Sequence, residues 1–146
     1  EKNNTKLKTL NSEYDQINNS SNNEKIKFLI VEDNKVNMLL LKTIISNLYS
    51  NSIIYECENG YEAVKQFESI NPTLVFMDIQ MPIMNGYETT KAIRSTITGE
   101  HTPIIAVTAG AEKEERNKCI TAGMNDYISK PIMKGIVEEI LAKWLK

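Results

Sequence analysis

From residue 25 onward, short apolar runs alternate with longer stretches in which apolar residues recur every three or four positions. Ile26–Val31 is apolar except for Lys27, as suits a parallel strand covered on both faces. Asn34–Tyr49 has helical periodicity. Its stripe of Leu40, Leu41, Ile44, Ile45 and Leu48 is expected to face the core, and Asp33 or Asn34 can cap its start. Val36, Leu39 and Thr43 then fall on the opposite side. Ser52–Cys57 reads as a second strand, Gly60–Ser69 as a second helix, and Thr73–Met77 (TLVFM) as a third strand. Tyr87–Thr96 is a helix and Pro103–Val107 (PIIAV) a fourth strand. Ala111–Ala122 is a charged helix ending at Gly123, a natural C-cap. Tyr127–Ser129 is a short fifth strand. Ile132–Leu145 is a closing helix, with Ile136, Val137, Ile140, Leu141 and Trp144 apolar. Strand then helix, five times over, predicts an α/β domain with a parallel sheet and helices on both faces.

Residues 1–24 break this pattern. They are rich in Asn, Ser and Lys, and residues 18–23 read NNSSNN. Such a stretch buries too little apolar surface to offset its ordering entropy, which points to a disordered linker. Leu7, Leu10, Tyr14 and Ile17 nevertheless share one helical face, which suits the end of an upstream helix. The first residue is Glu1 rather than Met, as expected of a piece of a longer protein.

The 146 residues suffice for one domain, residues 25–146, and are too few for two. Apolar residues make up 41% and charged residues 25%, an ordinary globular composition. With 17 Lys and Arg against 19 Asp and Glu, the net charge of -2 leaves no electrostatic footprint for nucleic acid or an anionic membrane. No apolar run is long enough to span a bilayer and no signal peptide is visible, so a cytoplasmic location is expected. Cys57 and Cys119 lack CxxC spacing and a nearby histidine. They read as half-buried thiols in a reducing compartment rather than a disulfide or a metal pair.

Ligands of such sheets bind outside the carboxyl ends of the strands. There the chain carries Glu32 and Asp33, then Asp78, Thr108 and Lys130. Singly, each has a plain structural role: a helix cap, a turn residue before Met81-Pro82, a strand-end cap, a solvated lysine. Together they form a set. Three converging carboxylates repel one another and need a cation to stay ionised. Oxygen ligands select a hard cation, and Mg²⁺ binds carboxylates together with phosphate oxygens. The set supports phosphoryl transfer to a carboxylate. Asp78 would attack phosphorus and become an acyl phosphate, while Mg²⁺ and Lys130 neutralise the equatorial oxygens and Thr108 donates to one of them. An ionised carboxylate needs no general base.

Four ordered stretches carry a resemblance: FLIVEDNKVN (28–37), VFMDIQMPIMNGYE (75–88), PIIAVTA (103–109) and GMNDYISKPI (123–132). Over about residues 25–146 the chain resembles the receiver domains of response regulators in two-component signalling. The wording is most like receivers of hybrid sensor histidine kinases or their phosphorelays. The resemblance implies a flavodoxin-like, doubly wound five-stranded parallel sheet of order 2-1-3-4-5 with five helices. It implies that Glu32, Asp33, Asp78 and the Gln80 backbone carbonyl hold Mg²⁺, and that Asp78 is phosphorylated. Thr108 and Lys130 would contact the phosphoryl group, Thr108 and Tyr127 would form a switch pair, and the Lys130-Pro131 bond would be cis. The implied partner is a histidine kinase or a histidine phosphotransfer domain. It would dock on the first helix, where Val36 and Leu39 form an apolar patch. An isolated domain of this kind is not an enzyme on other substrates, although it promotes its own phosphorylation and dephosphorylation. Asn85 departs from the family's frequent Asp, in an Asn85-Gly86 pair that suits a turn. His101, the only histidine, reads as a loop residue rather than a phosphoryl donor, and no kinase-core motif occurs in the chain.

Two other classes share part of this pattern. A phosphohydrolase of the haloacid-dehalogenase type also uses an Asp nucleophile with Mg²⁺. It needs a second Asp two positions on as general acid, where this chain has Gln80. A degenerate receiver that only binds partners would have lost part of the set, yet all five site residues are present.

Overall fold

A computed structural model describes residues 24–110 and 112–145. The apolar runs form strands β1 (Lys27–Val31), β2 (Ile53–Cys57), β3 (Leu74–Asp78), β4 (Ile104–Thr108) and β5 (Asp126–Ser129). The periodic stretches form helices α1 (Lys35–Leu48), α2 (Gly60–Ile70), α3 (Gly86–Arg94), α4 (Lys113–Ala122) and α5 (Lys134–Trp144). The strands pair in parallel in the order β2-β1-β3-β4-β5, the arrangement that the resemblance implies. The stripe of Leu7, Leu10, Tyr14 and Ile17 lies outside the described residues.

Side chains alternate across each strand and so feed two cores. Phe28, Ile30, Leu74, Phe76, Ile105 and Val107 pack under α1 and α5, against Leu41, Ile45, Val137 and Leu141. Leu29, Val31, Val75, Met77 and Ala106 face the other way, against Ala63, Phe67, Ile93 and Cys119 of the remaining helices. Every residue of β3 and β4 is buried, as an interior parallel strand requires.

Three readings need correction. Leu40 is 39% exposed, and Met38 takes the core position instead. Residues 38, 41 and 45 follow the three-then-four spacing of one buried stripe, which places residue 40 beyond its edge. Asn85 is not a turn residue but the N-cap of α3. Its Oδ1 accepts from Glu88 N at 2.9 Å, and Glu88 Oε1 accepts from Asn85 N at 3.5 Å, a reciprocal capping box. Both cysteines are free thiols, and they are fully rather than half buried. Gly123 ends α4 at φ 102, as the reading of a C-cap requires.

Candidate functional site

Parallel pairing brings the carboxyl ends of all the strands to one edge. Val31 lies beside Met77, Asp78 beside Val107, and Thr108 beside Ser129. At this edge the strand order reverses between β1 and β3, which opens a crevice.

The segment after β1 ends a strand, starts a helix and supplies two carboxylates. Asn34 caps α1, its Oδ1 accepting from Val36 N at 2.9 Å and Asn37 N at 3.0 Å. Glu32 is 4% exposed, and its Oε1 accepts from Asn34 N and Asn37 Nδ2, both at 3.3 Å. Asp33 beside it is exposed. Asp78, the last residue of β3, is 2% exposed. Carboxylate oxygens of Glu32, Asp33 and Asp78 lie within 4.8 Å of one another. Lys130, just past β5, places its Nζ 3.2 Å from Asp78 Oδ1 and 3.8 Å from Glu32 Oε1. Its backbone N–H donates to Thr108 O at 2.7 Å, and the Lys130–Pro131 peptide is cis.

Asp78 Oδ2 is buried and accepts no hydrogen bond. Burial pushes the Glu32 carboxyl up to about 7, the neighbouring Asp78 charge adding to the effect and Lys130 opposing it. Burial also raises Asp78, again against the pull of Lys130. One ammonium is too little positive charge for this cluster. An all-oxygen donor set with an orphaned buried carboxylate oxygen fits a hard divalent cation. Gln80 follows two residues after Asp78 with its side chain exposed.

Gly86 is fixed by this edge. Its N–H donates to Ile79 O at 2.9 Å, and a Cβ on it would lie 2.3 Å from Asp78 O. Only glycine lets α3 start so close to the strand that carries Asp78.

Thr108 is buried at the end of β4. Its Oγ1 accepts from Gly110 N at 3.1 Å and lies 3.5 Å from Glu115 Oε1. Tyr127 is half-buried. Its hydroxyl accepts from an Arg116 guanidinium N–H, and that guanidinium sits 4.6 Å from the ring centroid. The structure therefore brings together Glu32, Asp33, Asp78 and Lys130, and places Thr108 and Tyr127 on the neighbouring strand ends, each in contact with α4. Val36 and Leu39 stand on α1 near the crevice at 74% and 64% exposure, with exposed Leu40 and Thr43 on the same side. His101 lies in the exposed loop before β4.

Sequence reasoning missed Glu115, Arg116 and Tyr87, which surround the pair at Thr108 and Tyr127, and Arg94, which ties down the loop before β4. Nothing local marks them, because each acts on a partner brought near only by the fold.

The response regulator receiver domain family matches residues 28–142. Hybrid signal transduction histidine kinase C of Dictyostelium discoideum is 38% identical over 124 residues, 81% of this chain and 10% of that protein. The chain thus spans about a tenth of this relative's length. Among solved structures, the receiver domain of a sensor histidine kinase from Pseudomonas aeruginosa is 34% identical. The match covers 84% of this chain and 98% of that one at a TM-score of 0.76, and that structure has a magnesium ion coordinated in its active site cleft. The receiver domain of the Saccharomyces cerevisiae response regulator Ssk1, solved with the histidine phosphotransfer protein Ypd1, is 29% identical. It matches over 82% of this chain and 88% of that one, with a TM-score of 0.75.

Proposed function

The chain belongs to the response regulator receiver domain family, a module of two-component signalling, and from that premise we propose that Asp78 accepts a phosphoryl group from a phosphohistidine partner. One observation carries the reading. Asp78 ends the central strand buried, with one oxygen on Lys130 and the other without a partner.

In the proposed step a carboxylate oxygen of Asp78 forms a bond to phosphorus as the phosphorus–nitrogen bond to the donor histidine breaks. The electron pair of the broken bond stays on the imidazole nitrogen. Lys130 releases Asp78 Oδ1 in part and meets the phosphoryl oxygens, where negative charge is spread. Thr108 turns its hydroxyl toward one of them. Glu32, Asp33, Asp78 and the Gln80 carbonyl would hold Mg²⁺, which supplies further positive charge to the phosphoryl oxygens. Asn34 and Asn37 keep Glu32 oriented for that role. Val36 and Leu39 form the docking patch for a histidine kinase or histidine phosphotransfer domain. Thr108 and Tyr127 carry the phosphorylation state to the surface of residues 109–131.

The receiver matches within histidine kinases support placing this domain in a hybrid kinase or its phosphorelay.

The test is phosphorylation by acetyl phosphate with Mg²⁺, read as a mass gain of one phosphoryl group. Asp78→Asn is expected to abolish it. Labelling that persists in Asp78→Asn refutes the assignment, and steady release of phosphate from simple esters points to the hydrolase instead.

A further inference from the structure

The first turns of α4 read as a run of charge, yet Glu115 is half-buried where its neighbours are exposed. Its Oε1 accepts from Tyr87 Oη at 2.6 Å, a short hydrogen bond to a charged acceptor. Burial, together with this contact to Glu115, raises the Tyr87 hydroxyl above its ordinary pKa, so it stays a donor. The same Oε1 lies 3.5 Å from Thr108 Oγ1. One carboxylate oxygen thus joins α3, α4 and the end of β4.

Thr108 has one hydroxyl proton. One of its two lone pairs accepts from Gly110 N–H, and its proton is aimed at Glu115. To donate to a phosphoryl group on Asp78 it must leave Glu115. The next residue, Arg116, holds Tyr127 through its hydroxyl and ring face. Consecutive residues of one helix therefore hold both members of the proposed switch pair.

From these contacts we propose that Glu115, fixed by Tyr87, is a positioning residue that keeps the Thr108 hydroxyl turned from the phosphoryl-acceptor crevice. The proposal rests on the receiver reading and adds to it the group that opposes phosphoryl binding. The hold is weak by design of distance: at 3.5 Å the Thr108 contact is long, and it lasts only while Tyr87 keeps the carboxylate in place. A phosphoryl oxygen is the stronger acceptor and wins the proton once present. Tyr87 itself starts from the turn of α3 that packs on Asp78 O through Gly86, so the latch is anchored beside the site it opposes.

The experiment is titration with beryllofluoride at saturating Mg²⁺. The variants are Glu115→Ala, Glu115→Gln and Tyr87→Phe, each also made in a Thr108→Ala background. Tyr87→Phe removes one hydroxyl and keeps the ring packed on the core, so it decides the matter if Glu115→Ala does not fold. Glu115→Ala is expected to bind about threefold to tenfold more tightly than the wild type, the worth of one net hydrogen bond. Tyr87→Phe should move the same way by less. Glu115→Gln keeps an acceptor oxygen and should restore most of the wild-type affinity. Mg²⁺ affinity alone should not change, and in the Thr108→Ala background the gains should vanish. Wild-type affinity in both Glu115→Ala and Tyr87→Phe, weaker binding, or a gain that survives Thr108→Ala overturns the proposal while leaving the receiver reading intact. No binding by the wild type overturns the receiver reading and this inference with it.

Discussion

Replacing Arg94 with alanine is expected to cost more than any other single polar substitution away from the crevice. Arg94 closes α3 and shares no carboxylate contact among the described residues. Its guanidinium instead feeds four acceptors. Nε donates to Gly123 O at 2.9 Å, Nη1 to Gly99 O and Thr102 O at 2.7 Å each, and Nη2 to Asn125 Oδ1 at 2.7 Å. Asn125 Oδ1 also accepts from Ile104 N at 2.9 Å, so the network reaches the first residue of β4. The aliphatic stem fills the space over Gly123, where a Cβ would come within 3.2 Å of Arg94 Cγ. Burial pulls the guanidinium below its ordinary pKa, so four well-aimed acceptors offset a real desolvation cost. A hydrogen bond to a charged group contributes about 1.5–3 kcal/mol, but the bonds here share one donor and the carbonyls regain water at the rim. The expected loss for Arg94→Ala is therefore about 3 kcal/mol, a drop in Tm of roughly 10 °C for a domain of this size. Arg94→Lys keeps the charge but not the planar fork, so it should recover less than half. Urea denaturation followed by far-ultraviolet circular dichroism measures both. A loss below about 1 kcal/mol for the alanine variant, or a lysine variant as stable as the wild type, refutes the account of Arg94 as the tie between α3, β4 and β5.

Glu32 makes the metal-free protein pH-sensitive. Its carboxyl moves from an ordinary 4.5 to about 7 on folding, so the stability it contributes is full below 4.5 and lost as pH rises through 7. Because binding needs the ionised form, apparent Mg²⁺ affinity should rise about tenfold between roughly pH 6 and pH 8 with proton release by calorimetry, and a flat profile contradicts this. Gly86→Ala should destabilise by about 2 kcal/mol in denaturant titration, since its Cβ meets Asp78 O at 2.3 Å; a neutral effect would mean that α3 can retreat freely. Leu39→Glu should leave stability within about 0.5 kcal/mol and slow phosphotransfer from a protein donor while sparing acetyl phosphate. Equal slowing of both would place Leu39 in the chemistry rather than in docking.

The strands were legible because interior parallel strands such as TLVFM and PIIAV are apolar on both faces and punctuated by polar strand ends. The same regularity made the crevice legible, since every strand end falls on one edge once the strands are parallel. Helix faces were harder. A run of adjacent leucines from Leu39 to Leu41 does not say which one faces inward, so the apolar stripe read from the sequence takes in Leu40, which is 39% exposed, and passes over the buried Met38. Asn85 was misplaced for a related reason: Asn-Gly suits both turns and caps, and only Glu88 three residues on distinguishes them. Arg94, Tyr87 and Glu115 were illegible in principle, because their partners lie up to tens of residues away and their own neighbours in sequence carry no mark.

The two cysteines give the domain a pair of internal clocks. Cys57 ends β2 and Cys119 lies in α4, both sealed in the same core. Burial pushes the Cys57 thiol up to about 11, with the Glu62 charge adding to it, and raises Cys119 as well. Alkylating reagents react with the thiolate, so neither sulfur is reached in the closed fold and labelling proceeds only through opening. Exposing Cys57 requires the β2 edge to part from α2. Exposing Cys119 requires only that α4 lift from the sheet. The ratio of the two labelling rates therefore times the motion of the helix that carries Glu115 and Arg116 separately from unfolding of the sheet, with no foreign probe attached.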